Sequence, residues 1–434
     1  AGDRGRDERE VRAAGHSLMM QEDGLAAEAR STGRIRWRDT FLRLADRLLL
    51  RALARALARD GTGRLHILFP SGETATLGGS AGDIDVTLRI PSYRALWRLT
   101  RGGSLGFAEC FMDGDVETDD LGAIFEFYLA NERILTRALP SLLSTPIRDR
   151  RLHRTRRNTL EGSRLNIAAH YDLGNDFYRL WLDTSMAYSS AIFEPGDTLE
   201  EAQARKTARV LHELALEPGM SILEIGCGWG GMALAAARRG VRVEAITISK
   251  EQHQEAIAHV DANGLGEHIS IRLEDYRETS GQFDRVVSIE MIEAVGEENW
   301  QCYFDLIAER LKPGGLGIVQ AITIDEGTFD RYRRNPDFIQ RYIFPGGMLP
   351  TVSQMRSAAH AAGLEFERLA RFGPSYARTL AAWRSRFLHA WPRIRALGFD
   401  DRFHRMWLYY LTYCEAGFNH GTIDVGLYRL RNPL

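Results

Sequence analysis

The sequence predicts an α/β protein, a doubly wound and mostly parallel sheet preceded by a smaller mixed α/β domain and followed by helical additions. After Pro218 five apolar segments, SILEIG, VRVEAITI, ISIRLED, FDRVVSIEM and LGIVQAITI, alternate with helix-like stretches, which is the rhythm of βαβ units. The first runs straight into Gly226-Cys227-Gly228-Trp229-Gly230-Gly231 and then a helix, the kind of turn at which such sheets take ligands. At 434 residues the chain also exceeds one comfortable core, so a second unit is expected.

Taken in order, residues 1–33 are polar and Gly/Ala-rich, and we expect a flexible arm. A small domain over 34–145 opens with a helical segment from Phe41 to Arg59. On it Arg43, Arg47, Arg51, Arg55 and Arg59 recur every fourth residue and line one face. Two readings stay open for that face: a solvated ridge on a packed helix, or a surface turned to anionic lipid. RLHILF and ETATLGG read as strands about the turn Pro70-Ser71-Gly72. IDVTLRI reads as a third strand, followed by helices near Tyr93–Leu99 and Leu121–Ile134 with a turn at Asp113-Gly114-Asp115 between them.

A linker over 146–165 carries RDRRLHRTRR, six arginines against Asp149. It is either a solvated connection or a phosphate-attracting patch, where each basic side chain contributes about 1 kcal/mol near an anionic surface. Residues 166–434 form the main domain. Pro313-Gly314-Gly315 and Pro345-Gly346-Gly347 mark tight turns in it. Long helices rich in Arg, Trp and Tyr are expected from Ser375 to about Ala416.

Composition narrows the function. Apolar residues make up 44% and charged residues 26%, with a net charge of -2, so no basic footprint recommends a nucleic-acid partner. Four cysteines (Cys110, Cys227, Cys302 and Cys414) form no Cys-x-x-Cys pair, which argues against a zinc site or a disulfide framework and fits a reducing compartment. The first residues lack the apolar run of a signal peptide, and no stretch of eighteen apolar residues exists to span a membrane.

The glycine loop meets the dinucleotide fingerprint only in altered form. Glu224, two residues before the first glycine, would repel a pyrophosphate but suits a cationic ligand bearing an amino acid, which favours S-adenosylmethionine over NAD. Glu244 is at ribose-binding distance along the chain, or is a solvated strand residue. Asp275 is placed to meet the adenine side. Glu290 and Glu293 follow the fourth strand, either as capping residues or against the reacting carbon of a substrate.

A series of segments now becomes recognisable: HYDLGNDFYRLWLD from His170, AYSSAIF from Ala187, TLEEAQARK from Thr198, PGMSILEIGCGWGG, ITISKEQ from Ile246, IEAVG from Ile292, FPGGMLP from Phe344, YARTLAAW from Tyr376 and YYLTYCEAGF from Tyr409. With these the chain, from about Leu65 to Tyr428 and most strongly from Ala169, resembles the cyclopropane-fatty-acyl-phospholipid synthases and the related mycolic acid methyltransferases. The resemblance implies a Rossmann-like methyltransferase sheet and a lipid-binding-like N-terminal domain. It also implies a homodimer, and a cytoplasmic enzyme held peripherally at the inner face of the cell membrane, acting on unsaturated phospholipid acyl chains.

The resemblance also implies site residues. S-adenosylmethionine would be contacted by Tyr188, Ser189, Gly226, Gly228, Thr247, Ile248 and Gln252, with Tyr276 where some members have tryptophan. A bicarbonate ion, the base of the reaction, would be held by Ser190, Glu293, Gln320, the backbone at Ile322 and Tyr410. His170 would be catalytic or would lock the segment over the pocket. Two positions depart from the pattern: most members have Cys in place of Ser190 and His in place of Gln320. Glutamine keeps a donor but relays no proton. The expected product is a cyclopropane, formed with a more weakly held bicarbonate or with Glu293 as direct base. The alternatives are a methyl- or methylene-branched chain, a different lipid-like acceptor, or a catalytically silent lipid-binding protein.

Overall fold

The computed structural model describes residues 61–79, 81–138 and 173–433, with residues 57, 149, 156, 158–160, 162, 163 and 166 besides. The arm 1–33 lies outside the described residues. So do the arginine face of 41–59 and the arginine-rich stretch 148–157, apart from Leu57, Asp149 and Arg156. The described residues fall in one compact unit built on two sheets.

The first sheet is small and mixed. β1 (Thr62–Leu68) pairs antiparallel with β2 (Thr74–Gly78) and parallel with β3 (Ala81–Arg89). Helix α1 (Tyr93–Met112) starts at Ser92, whose hydroxyl accepts the Ala95 amide at 3.1 Å. It runs well beyond the expected 93–99 because it continues past a kink at Gly103 (φ 60) and buries Leu105, Ala108 and Phe111 on the far side. β4 (Glu117–Thr118) closes the sheet in the order β2-β1-β3-β4, and α2 (Leu121–Ala138) packs on β1 and β3.

The main sheet begins after the short α3 (Asn175–Arg179) and after α4 (Leu199–Glu213), which Thr198 and Glu201 open with a reciprocal capping box. Then follow β5 (Ser221–Ile225), α5 (Gly231–Ala237), β6 (Arg242–Thr247), α6 (Lys250–Ala262), β7 (Ile269–Leu273) and β8 (Phe283–Ile289). After the short α7 (Ile292–Val295) come α8 (Trp300–Arg310), β9 (Leu311–Ile324), α9 (Glu326–Arg334) and α10 (Val352–Ala361). These five strands run parallel, as the apolar segments predicted. Leu223, Ile225, Ile246, Val286 and Val319 form the core of the sheet.

Two strands were not expected. β10 (Glu365–Arg371) precedes the long α11 (Gly373–Ala396) and α12 (Asp401–His420), and β11 (Ile423–Arg431) follows them. β11 adds antiparallel to β9 and β10 adds antiparallel to β11, giving the order β10-β11-β9-β8-β5-β6-β7. β10 is an edge strand, EFERLAR, whose charges suit an exposed edge and disguise it in the sequence. Helix α12 packs against α11 and also against α1 and α2. Tyr409 on α12 lies with its ring centroid 5.0 Å from Phe125 and 4.4 Å from Phe338. The Tyr342 hydroxyl donates to Glu109 at 2.7 Å and Arg402 pairs with Asp113 at 2.9 Å, so the small sheet and the main sheet share one apolar seam with a polar rim. No described helix is long and apolar enough to cross a membrane.

Candidate active site

Strand order reverses at β5, with β6 and β7 on one side and β8 and β9 on the other. The carboxyl ends of these strands open onto one crevice, the place where such sheets bind ligands. A cavity of about 640 Å³ fills it, a size suited to a small-molecule ligand. Gly226 and Gly228 stand at its floor with φ of 81° and 54°. The Ile246 carbonyl accepts the Gly226 and Cys227 amides at 3.0 and 2.9 Å, which pins the turn. A Cβ on Gly226 would come within 2.9 Å of Met291, whereas one on Gly228 would meet no atom within 4 Å. The open side of Gly228 is therefore space for a ligand.

Charge is concentrated on the β5 wall. Glu224 lines the cavity, is 3% exposed, and accepts the Ala233 amide, while its Oε2 has no hydrogen-bond partner. Burial pushes its carboxyl up to about 8, with the Lys206 charge pulling the other way. Lys206 is equally buried and donates to Ser189 Oγ at 2.8 Å. At the β6 end, Thr247 Oγ1 donates to Gln252 Oε1 at 3.0 Å, and Ser249 caps α6 through the Gln252 amide. Ile248 lines the cavity beside them. Tyr276 lines the opposite side with its buried hydroxyl unpartnered.

Ten residues were expected around S-adenosylmethionine, and the fold brings all of them to this one cavity: Tyr188, Ser189, Glu224, Gly226 and Gly228, with Thr247, Ile248, Gln252, Asp275 and Tyr276. Asp275 stands there with both carboxylate oxygens engaged by Arg277, at 2.8 Å each. Glu244 lies outside the lining and pairs with Arg272 at 2.6 Å, as a strand-surface residue does. The residues fit S-adenosylmethionine. An unpartnered carboxylate oxygen at Glu224 can accept an ammonium, Gly228 leaves room for close approach, and the Tyr276 hydroxyl needs a partner.

The second half of the site lies where β8 gives way to α7. Glu290 lines the cavity with φ 51°, a left-handed conformation that a non-glycine residue adopts at a cost of about 1 kcal/mol or more. Its Oε1 accepts the Ser190 amide at 2.8 Å and Gln320 Nε2 at 2.7 Å, and its Oε2 accepts the Tyr376 hydroxyl at 2.7 Å. Burial pushes the Glu290 carboxyl up, while these three donors and Lys206 hold it down. Glu293, in the first turn of α7, accepts the Ile322 amide at 2.5 Å and leaves Oε2 unpartnered. Burial first, then the Glu290 charge, pushes it up to about 8.

Aromatic rings surround this corner. The Tyr188 and Tyr410 hydroxyls lie 2.9 Å apart. Tyr188 is 5.3 Å from Trp383 between ring centroids, and Tyr410 is 5.3 Å from Trp407. Such faces stabilise a passing cation. The residues do not fit a bicarbonate ion. The Ser190 amide and the Gln320 amide serve Glu290, the Ile322 amide serves Glu293, the Ser190 hydroxyl donates to the Ala191 carbonyl and Tyr410 is paired with Tyr188. His170 lies outside the described residues. No metal-binding cluster occurs among the described residues.

Sequence reasoning passed over two residues of this centre. Lys206 sits on the buried stripe of α4 with Leu199, Ala202, Gln203 and Val210, and a lysine on an apolar stripe was the available signal. Tyr376 opens the recognised segment YARTLAAW, but nothing local gave it a role, because its partner Glu290 is 86 residues away.

Comparison with known proteins bears on this geometry. Residues 159–427 match the family described as mycolic acid cyclopropane synthetase. The chain is 38% identical over 338 residues to the tuberculostearic acid methyltransferase UfaA1 of Mycobacterium tuberculosis, covering 76% of this chain and 79% of that protein. It is 37% identical over 354 residues to the cyclopropane-fatty-acyl-phospholipid synthase of Escherichia coli, covering 80% and 88%. Among solved structures, the mycolic acid cyclopropane synthase CmaA1 complexed with SAH and CTAB superposes with a TM-score of 0.58 at 33% identity, covering 62% of this chain and 98% of that one.

Proposed function

The chain belongs to the mycolic acid cyclopropane synthetase family of S-adenosylmethionine-dependent methyltransferases, and from that membership we propose that it transfers one carbon to a cis double bond of a phospholipid acyl chain, giving a cyclopropane. S-adenosylmethionine is its cofactor and supplies an electrophilic methyl group. An isolated alkene is a weak nucleophile and becomes a carbocation when it attacks such a methyl. The site therefore has to place a carbanion-free acceptor against the donor, exclude water, and take up one proton.

The observation that carries this reading is one cavity that has Glu224 on its donor wall and Glu290 and Tyr188 on its lining, with Tyr410 paired to the Tyr188 hydroxyl and Glu293 outside the lining on the Ile322 amide. In this reading Glu224, Tyr188, Ser189, the two glycines, Thr247, Ile248, Gln252 and Tyr276 hold the donor. Asp275 acts through Arg277 to fix the turn that carries Tyr276. Ser190, Gln320, Glu293 and Tyr410 surround the reacting carbon. The sites of attachment to a lipid surface belong to the same proposal, as do the division of the chain at 34–145, 146–165 and 166–434 and a homodimeric state.

A branched product is the second reading, favoured because the 38%-identical relative is named a methyltransferase of tuberculostearic acid and not a cyclopropane synthase. The test incubates the protein with S-adenosylmethionine and vesicles of unsaturated phospholipid, then examines the acyl chains. A mass gain of one methylene supports one-carbon transfer, and proton resonance of the product distinguishes a cyclopropane ring from a methylene branch. No acyl product across a range of unsaturated lipids would refute the proposal.

A further inference from the structure

The geometry points to Glu290 as the proton acceptor of the reaction, an anion built into the chain that makes an exogenous bicarbonate unnecessary. The inference rests on the one-carbon transfer proposed above and identifies its base. Three observations carry it. The donor groups implied for bicarbonate are already engaged, the Ser190 amide and the Gln320 amide both closing on Glu290 Oε1 at 2.8 and 2.7 Å. The side chain of Glu290 lines the cavity that holds Glu224 and the glycine loop, whereas Glu293 does not line it and is turned to the Ile322 amide. The backbone at Glu290 is left-handed, φ 51°, and is held there by its own amide donating to the Gln320 carbonyl at 2.8 Å. Strain of this kind persists where the surroundings fix it, and it clusters at working sites.

The hydrogen bonds suit both states of a base. Two N–H donors on Oε1 keep that oxygen unprotonated, so an incoming proton goes to Oε2. There the Tyr376 hydroxyl, a donor to the carboxylate at 2.7 Å, turns and accepts from the carboxylic acid. The reaction then balances. The alkene π electrons form a bond to the donor's methyl carbon, and the carbon–sulfur bond breaks with its electrons leaving on sulfur. The new methyl gives a proton to Glu290 Oε2, and the electrons of that C–H bond close the ring onto the cationic carbon. Lys206, which interacts with Glu290 and Glu224 alike, pulls the Glu290 carboxyl back toward its ionised form against the burial that raises it.

The experiment measures turnover on vesicles of unsaturated phospholipid in buffer freed of carbon dioxide, with and without added bicarbonate, for the wild type, Glu290→Gln and Glu290→Gly. The expected result is a wild-type rate that changes less than twofold with bicarbonate. Glu290→Gln loses roughly a hundredfold or more in kcat, the worth of a general base, while calorimetric binding of S-adenosylmethionine stays within a few-fold. Glu290→Gly, which suits the left-handed backbone and vacates the carboxylate's place, regains activity when bicarbonate or formate is added. An active wild type that needs bicarbonate, or a Glu290→Gln variant with full turnover, overturns the inference and leaves the proposed function standing. A wild type that binds the donor but yields no acyl product in either buffer refutes the proposed function and this inference with it.

Discussion

Replacing Glu224 by Gln separates what this carboxyl does for the donor from what it costs the fold. Its ordinary value of 4.5 is pushed to about 8 in the folded chain, with burial the cause. A carboxyl raised in this way keeps a proton in the folded state that the unfolded chain gives up. Stability is therefore full below pH 4.5 and declines as pH rises to about 8. At about 1.4 kcal/mol per pH unit the upper bound across that interval is roughly 5 kcal/mol. Water reaching the cavity wall reduces it to on the order of 2 kcal/mol.

Glu224→Gln removes the titration. Without donor the variant should be about 2 kcal/mol more stable than the wild type in urea at pH 8, and equal to it within ~0.5 kcal/mol at pH 5. Donor binding moves the other way. A charge-assisted bond to the donor's ammonium is worth about 1.5–3 kcal/mol, so calorimetry should show binding weakened roughly tenfold to a hundredfold. For the wild type, the carboxyl must lose its proton to receive the ammonium, so affinity falls about tenfold per unit below pH 8. A Gln variant that binds the donor as tightly as the wild type refutes the assignment of Glu224. One that is less stable than the wild type at pH 8 refutes the electrostatic account.

Glu293→Gln copies the neutral form that burial and Glu290 impose on a carboxyl held at about 8, so turnover at pH 7 should stay within about tenfold of wild type. A loss of a thousandfold in kcat would make Glu293 the base instead. Gly228→Val places a β-branched side chain at φ 54°, pointing into the cavity. Calorimetry should detect no donor binding, while urea unfolding shows a loss of only about 1–3 kcal/mol. Asp275→Ala strips both carboxylate oxygens from Arg277, whose hydrogen bonds to the Asn158 carbonyl and Ser163 and whose stacking on Tyr276 remain. Removing one partner of so buried a pair should cost about 3 kcal/mol, read as a shift of the urea midpoint.

What the sequence disclosed, and what it hid, follows from the range of each interaction. The parallel strands were legible because an apolar run that turns into Gly226-Cys227-Gly228 is a local signal, and Glu224 two residues upstream is local as well. β10 was hidden because an edge strand carries charges on its open side, and β11 because it pairs with β9 across a separation of about a hundred residues. The site shows the same division. Glu290 and Glu293 both stood out as carboxyls at the end of β8, but their spacing of three residues does not say which one faces the cavity. That is decided by a left-handed backbone at Glu290 and by donors from Ser190, Gln320 and Tyr376, all distant in the chain.

Charge balance links the two ends of the cavity. Lys206 faces Glu290, Asp183 and Glu224, and Glu293 adds a fourth carboxyl through its repulsion with Glu290. Burial is what pushes Glu224 and Glu293 both up to about 8; the Lys206 charge pulls Glu224 the other way, and the Glu290 charge adds to the push on Glu293. The donor changes this count, because its ammonium and sulfonium outweigh its one carboxylate. If the ammonium sits at Glu224 as proposed, that carboxyl draws less on Lys206, and more of the lysine charge falls on Glu290. The donor thus favours the ionised form of the group 66 residues along the chain that is to take the proton. It does so through one side chain on α4, whose hydrogen bond to Ser189 ties it to the loop that carries Tyr188.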